Sequence, residues 1–498
     1  MKNSSCRIFA LFGVSVLSVL LVSCSLSAES KKEDPKPDVK KETVQSPAPA
    51  KKSNADAPKA PAKSTAVDKQ KAPAQAPAKK EEVQPVEVKI AIDKADGIYK
   101  TGDTVTFTIQ FLKDGKLTAG QKMGYYLHTD DGKKQMELYT SKAEPSQFQT
   151  KLTAPGSLRI EAAAFSEDGK VMKLEKGKKS VNVAAQVGVI ADPLTIKPGF
   201  AEPADFQKFW DDGKAELAKI PLNPKLEKTE VPKTHQDRFQ CWDVKVDSVG
   251  GTPVSGYLTI PAGAKPKSLP AIVHYHGAGV SSSRKIFNPK AISFDVNAHG
   301  IANGQSPEFY SNLSRNELSG YSHRNSGSRE QFYFRNMFLR VQRALDFVKT
   351  LPEWDGKNLI VSGGSQGGGQ AIVAAGMDPQ VTLMFAAVPA LCDHGGVLAG
   401  RESGWPRLIA LKDGKPVDEK IVKASPYFDC AFFAKRIKAD AYFTVGLVDR
   451  TCVPTSVYAA FNSIPGKKHM STHPFKGHGG TSSTEFNAAL GKVLDDNR

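Results

Sequence analysis

The chain has 498 residues, 24% of them charged, and a formal charge of +16. That length is enough for two or three domains with complete cores and excludes a small disulfide-held module. The charge invites nucleic acid, but the lysines are spread along the chain among Glu and Asp, without a basic stripe interleaved with aromatics. A solvated surface is therefore expected, and no nucleic-acid partner.

In chain order, residues 1–24 come first: a basic start (Lys2, Arg7), an apolar run from Ile8 to Val22, and Leu21-Val22-Ser23-Cys24. The run is too short for a spanning helix and reads as an export signal. Its end resembles a bacterial lipobox, in which Cys24 would carry the lipid and tether the chain to a membrane surface. Ser25, rather than Asp, follows the cysteine. By the same resemblance the anchor would sit in the outer membrane, on its periplasmic or cell-surface side. Residues 25–84 are almost entirely Lys, Glu, Pro, Ala, Ser and Gln. Such a stretch cannot bury enough apolar surface to offset the entropy of ordering, so a disordered linker is expected.

Residues 85–187 read as strands. Val86, Val88, Ile90 and Ile92 alternate with other residues, as do Val105, Phe107, Ile109 and Phe111. Asp96-Gly97, Asp114-Gly115, Asp131-Gly132 and Asp168-Gly169 supply turns. This spacing predicts an all-β, immunoglobulin-like sandwich without a catalytic constellation. Residues 188–498 have another texture. A helix is predicted from Asp205 to Ile220, then apolar strands at 271–275, 291–296, 358–361, 381–388 and 441–445. A helix face of Met337, Val341, Leu345 and Val348 falls among them. Ser482-Ser483-Thr484-Glu485 has the pattern of a capping box before a last helix that buries Phe486, Leu490 and Leu494. Near-continuous apolar strands separated by helices predict an α/β fold: a mostly parallel sheet covered on both faces, with its site at the strands' carboxyl ends.

Gly363-Gly364-Ser365-Gln366-Gly367 joins the apolar Leu359-Ile360-Val361 to a helical stretch. A serine between glycines at a strand-to-helix junction is the nucleophile-elbow pattern, because the turn has no room for side chains on either side. A serine hydroxyl needs a base, and the base needs a carboxylate to orient it. Asp449 follows the strand at 441–445, and His478 lies in the glycine-rich loop before the last helix, in the chain order this fold requires. Asp440, His469 and His473 are the rivals, in positions better suited to structural bonds. The oxyanion of a tetrahedral intermediate needs two donors. The expected ones are the backbone N–H of Gln366 and that of Ala278, in the turn His276-Gly277-Ala278-Gly279. His276 would brace that turn. His274 and His276 lack the further ligands of a zinc hydrolase, and no Cys-x-x-Cys pattern points to metal, so no cofactor is expected. Cys241, Cys392, Cys430 and Cys452 allow three disulfide pairings or free thiols, and both remain open.

Several runs resemble one family. Phe209-Trp210 with Ile220-Pro221-Leu222-Asn223-Pro224, Tyr333-Phe334-Arg335, the Gly-Gly-Ser-Gln-Gly-Gly-Gly run and Gly446-Leu447-Val448-Asp449-Arg450-Thr451-Cys452-Val453-Pro454 look like the acetyl xylan esterase and cephalosporin C deacetylase family. The likeness covers roughly residues 195–496. It implies an α/β-hydrolase that removes acetyl groups from short acetylated xylo-oligosaccharides, needs no cofactor, and often assembles into ring-shaped homo-oligomers. The chain departs from the family's motifs in three places. The family's Arg-Gly-Gln motif after the second strand is absent, the stretch reading Asp295-Val296-Asn297-Ala298-His299-Gly300; His478-Gly479 stands where the family has His-Glu, and Ala278 where it has tyrosine. These changes bear on acyl and sugar preference, with His276, His299 and Tyr333 as pocket-shaping residues. Two other readings stay open: a glucuronoyl-type esterase or peptidase on the same fold, and a surface glycan-binding protein whose hydrolase domain is inactive.

Overall fold

Alternating burial builds the first part of the described chain. The computed structural model describes residues 85–176 and 179–496; the signal-like stretch, Cys24 and the linker lie outside them. In the strand Thr104–Lys113, Val105, Phe107, Ile109 and Phe111 all turn inward, as the period-two pattern requires. This strand pairs with Val86–Ile92 and Ser146–Lys151 in one sheet. A second sheet runs in the order Ile98–Tyr99, Ala184–Ala191, Gly156–Ala164, Lys122–Thr129, Lys134–Thr140. Residues of both sheets, among them Phe107, Tyr125, Ile160 and Val187, share one apolar core. At Asp114-Gly115 both residues have positive φ (53° and 75°), the backbone that a tight hairpin turn between right-twisted strands needs. The last strand of this unit carries it past residue 187, to Ala191.

The second part contains a nine-stranded mixed sheet. Its order is Lys225–Lys228, Phe239–Val246, Val254–Pro261, Ile292–Val296, Leu269–Tyr275, Trp354–Gly364, Val381–Ala387, Asp440–Gly446, Lys468–His473. Ladders from Ile292–Val296 onward are parallel, and the three strands before it add on antiparallel. Neighbouring residues of each central strand point to opposite faces, yet both faces are buried. Val273, Val361, Met384 and Phe443 pack on one side. Ile272, Ile360, Leu383 and Tyr442 pack on the other, under Phe486 of the last helix. This two-sided burial explains the nearly unbroken apolar runs of the sequence. The predicted first helix forms over Phe206–Ala218, anchored by Trp210, whose indole N–H donates to the Tyr427 carbonyl (2.9 Å).

One local expectation shifts and one open question closes. The last helix, Thr484–Asp495, is capped by Ser483, whose hydroxyl accepts from Phe486 N (3.2 Å). Glu485 therefore sits at the helix's second position and accepts from the Ser471 and Ser483 hydroxyls instead of closing a reciprocal box. All four cysteines of the described chain are buried free thiols. Among the described residues no helix is long and apolar enough to cross a membrane.

Candidate active site

Ser365 sits between the strand Trp354–Gly364 and the helix Gln366–Met377 with φ 57° and ψ −125°, a conformation an L-residue holds only under strain of about 1–3 kcal/mol. The packing accounts for the glycines. A Cβ on Gly363 would lie 2.3 Å from the Gly367 backbone, and one on Gly367 would lie 2.1 Å from the Tyr275 carbonyl oxygen. The serine's own backbone is pinned to the next strand. Its N–H donates to Ala387 O (2.9 Å), and its carbonyl accepts from Ala390 N (2.9 Å).

Asp449 and His478 converge on this serine from separate loops. The Asp449 side chain is fully buried; its Oδ1 accepts from the backbone N–H groups of Thr451 (2.7 Å) and Cys452 (3.0 Å). Its Oδ2 lies 2.8 Å from His478 Nδ1, and His478 Nε2 lies 2.9 Å from Ser365 Oγ. A carboxylate at Nδ1 holds the imidazole in the tautomer whose Nε2 can accept the serine proton. Gly446 permits the approach: a Cβ there would sit 2.3 Å from Lys476 O and 2.5 Å from Gly477 O, in the loop that carries the histidine. The rivals are engaged elsewhere. His469 bonds Asp440 (3.1 Å) and stacks on Tyr442, while His473 meets the Ser482 carbonyl (2.9 Å).

The two predicted oxyanion residues are joined by one that sequence reasoning missed. The Tyr321 hydroxyl donates to Gln366 Oε1 (2.6 Å) and lies 3.2 Å from the Ala278 carbonyl. Gln370, on the helix after the serine, donates from its side chain to His276 O (2.9 Å) and ties the turn down from behind. His276 lies beside Asp295, itself clamped by Arg284, and burial lowers its imidazole pKa. His299 Nδ1 meets the Tyr333 hydroxyl (2.8 Å), and its ring packs edge-on against Tyr321. Burial and the neighbouring Arg340 push His299 down to about 3, so it is neutral at working pH. His299 and Tyr333 line a cavity of about 530 Å³. Only a weak signal for Tyr321 exists in sequence, a lone tyrosine in a polar Gly-Tyr-Ser-His loop.

The Cys452 thiol also lies beside Ser365. Burial and the Asp449 charge hold it well above the ordinary thiol pKa, so it remains a neutral thiol and a poor nucleophile. Asp449, Cys452 and His478 bring donor atoms within 4.8 Å of one another. The carboxylate and both ring nitrogens are already spent on hydrogen bonds to the protein, which suits a proton relay better than a metal cage.

Known proteins bear on this arrangement. The acetyl xylan esterase (AXE1) family profile matches residues 194–490. The chain is 30% identical over 406 residues to an acetyl esterase, Axe7A, of Xylanibacter ruminicola, covering 80% of this chain and 88% of that one. Among solved structures, an acetyl xylan esterase of Thermoanaerobacterium sp. JW/SL YS485 superposes with a TM-score of 0.50 at 24% identity, covering 61% of this chain and 97% of that one. One from Paenibacillus sp. R4 gives 0.49 at 27% identity, over 61% and 98%. The likeness to the Thermoanaerobacterium structure extends to the fold described above. The chain belongs to the acetyl xylan esterase family and is a hydrolase acting on ester bonds.

Proposed function

We propose that the protein is a serine esterase that removes acetyl groups from acetylated xylan, xylo-oligosaccharides or related carbohydrate esters. The observation that carries this reading is the hydrogen-bonded file Ser365–His478–Asp449, 2.9 Å and 2.8 Å long. Ser365 Oγ attacks the acetyl carbonyl carbon as its proton passes to His478 Nε2. The oxyanion is held by the backbone N–H groups of Gln366 and Ala278. On collapse the bond to the sugar oxygen breaks, and His478 returns its proton to that oxygen, leaving acetyl-Ser365. Water, deprotonated by His478, then attacks the acyl carbon and releases acetate and free Ser365. Burial of Asp449 suits this cycle, since a dry carboxylate orients the imidazole and stabilises its charged form.

Acetate release from acetylated xylan tests the substrate. p-Nitrophenyl acetate against the butyrate and octanoate tests the acyl pocket, with a steep fall expected as the chain lengthens. Ser365→Ala should remove activity on all of them; undiminished hydrolysis would discard the nucleophile. The N-terminal all-β unit is read as immunoglobulin-like, and residues 1–24 as a lipoprotein signal tethering the enzyme through Cys24 to the outer membrane by way of the linker. Metabolic labelling with a palmitate analogue should mark wild type and spare Cys24→Ala. Assembly into a homo-oligomer is the remaining part of the reading, to be measured by light scattering.

A further inference from the structure

We infer that the cavity beside the oxyanion loop is a carboxylate-binding subsite, and that its ligand is an acidic sugar carried by the esterified glycan. The inference rests on the esterase reading above for its substrate and on Arg340 for its chemistry. Arg340 is 4% exposed and lines the cavity. Its Nη2 donates to the Ala298 carbonyl (3.1 Å), it lies close to the Tyr333 hydroxyl, and its Nε has no acceptor. Among the described residues no carboxylate forms an ion pair with it. Two other arginines at buried carboxylates behave differently: Arg284 holds Asp295 and Arg401 holds Asp393. Arg343, equally buried, also has no ion pair and no acceptor for its Nε, but it bonds two carbonyls, those of Leu217 and Ile220, has Asp346 and Asp247 nearby, and does not line this cavity. A buried guanidinium without a counter-charge is strongly unfavourable unless something else supplies one. A planar fork of donors facing a cavity is suited to a carboxylate.

The other charged groups of the cavity lie at its rim or are committed. Glu317 and Glu330 are exposed, and Glu330 is taken by Arg329 (2.8 Å). Arg324 donates to the Glu317 carbonyl and lies over the Tyr333 ring, 5.7 Å from its centre. His299, held near pKa 3, adds no charge. The floor of the cavity is therefore positive and its rim mixed. At about 530 Å³ the space is several times what a bare carboxylate needs and falls in the range of pockets that take a sugar unit. It also communicates with the reacting centre. The Tyr333 hydroxyl, close to Arg340, meets His299 Nδ1 (2.8 Å), and the His299 ring lies by the Gly279 backbone in the oxyanion turn.

The test titrates the full-length protein with methyl β-D-glucuronide, methyl β-D-glucoside and acetate by ligand-observed NMR or calorimetry, independently of turnover. The glucuronide should bind at least tenfold tighter than either of the others. Arg340→Met should erase that preference, and Gln331→Trp, an exposed substitution at the mouth, should weaken it without touching the floor. On acetylated oligosaccharides the kcat/KM ratio of uronate-bearing to neutral chains should exceed about ten in wild type and fall toward one in Arg340→Met. Equal binding of glucuronide and glucoside, or a preference that survives both variants, would overturn the subsite. Acetate binding as tightly as the glucuronide would also overturn it, by assigning the cavity to the product. Ser365→Ala keeps the two readings apart: it should lose hydrolysis and keep glucuronide binding. Glucuronide binding in a wild type that hydrolyses nothing would sink the esterase reading and leave the subsite standing.

Discussion

The two sides of Ser365 are built differently. On the acid side, the loop carrying Asp449 is pressed between its own sheet and the N-terminal β unit. Gly188 N donates to Pro474 O (2.8 Å), and a Cβ on Gly188 would sit 2.2 Å from the Leu447 carbonyl oxygen, two residues before Asp449. Arg450, directly after Asp449, pairs with Glu161 (2.8 Å), and Thr455 donates to the largely buried Asp130 (3.0 Å). On the oxyanion side the turn is held by single side chains, Tyr321 and Gln370. The carboxylate that steers the imidazole has one correct position, and two packed backbones fix it. The turn proposed to hold the oxyanion is tied instead by single side-chain bonds. Part of the β unit thus forms a wall of the acid loop.

The largest effect should come from the acid itself. Asp449→Asn keeps the shape but favours the wrong histidine tautomer, and kcat should fall about ten-thousand-fold with KM little changed. A loss under tenfold would mean that another carboxylate orients His478. Next is Gly188→Val, more than 80 residues outside the catalytic motifs. Its side chain has no space against Leu447, so the acid loop must move. A fall in kcat of at least about tenfold is expected, together with a destabilisation of more than about 3 kcal/mol in thermal melts. Wild-type kcat in that variant would dissolve the contrast between the two sides. On the oxyanion side, Tyr321→Phe removes one hydrogen bond worth about 1 kcal/mol, so kcat should drop only about fivefold and the fold should hold.

The smallest effect is in pH dependence. Burial raises the Asp130 carboxyl to about 7, against the ordinary carboxylate value near 4 that it takes in the unfolded chain. Between these values the native state holds a proton that the unfolded chain has released. Stability contributed by this group is thus present at low pH and lost as pH rises through about 7. Arg401 opposes the shift and Glu402 adds to it. Melting temperature should fall more between pH 5 and 8 in wild type than in Asp130→Asn. Parallel slopes would remove Asp130 from the account of this interface.

What was legible in the sequence follows the same divide. The elbow leaves a mark because Gly363 and Gly367 have no alternative, and Asp449 and His478 are recognisable by their places after strands. The strand Val254–Pro261 escaped notice because Ser255, Gly256 and Thr259 interrupt its apolar run. Gly256 is needed where a Cβ would meet Asp295 O at 2.4 Å, and Ser255 and Thr259 donate to the Ile301 and Ile286 carbonyls. Lys225–Lys228 is an exposed edge strand with no buried face to impose a period. Tyr321, Gln370 and Gly188 act through contacts 43 to 286 residues apart in the chain, and no local pattern encodes a partner at such a distance.

The most direct measurement is to find the atom that carries the acyl group. Wild type, quenched during turnover of a slow ester or labelled with a fluorophosphonate, should yield one modified peptide, the one containing Ser365. Ser365→Ala should yield none. An adduct on Cys452, or steady turnover with no adduct on Ser365, would contradict the account.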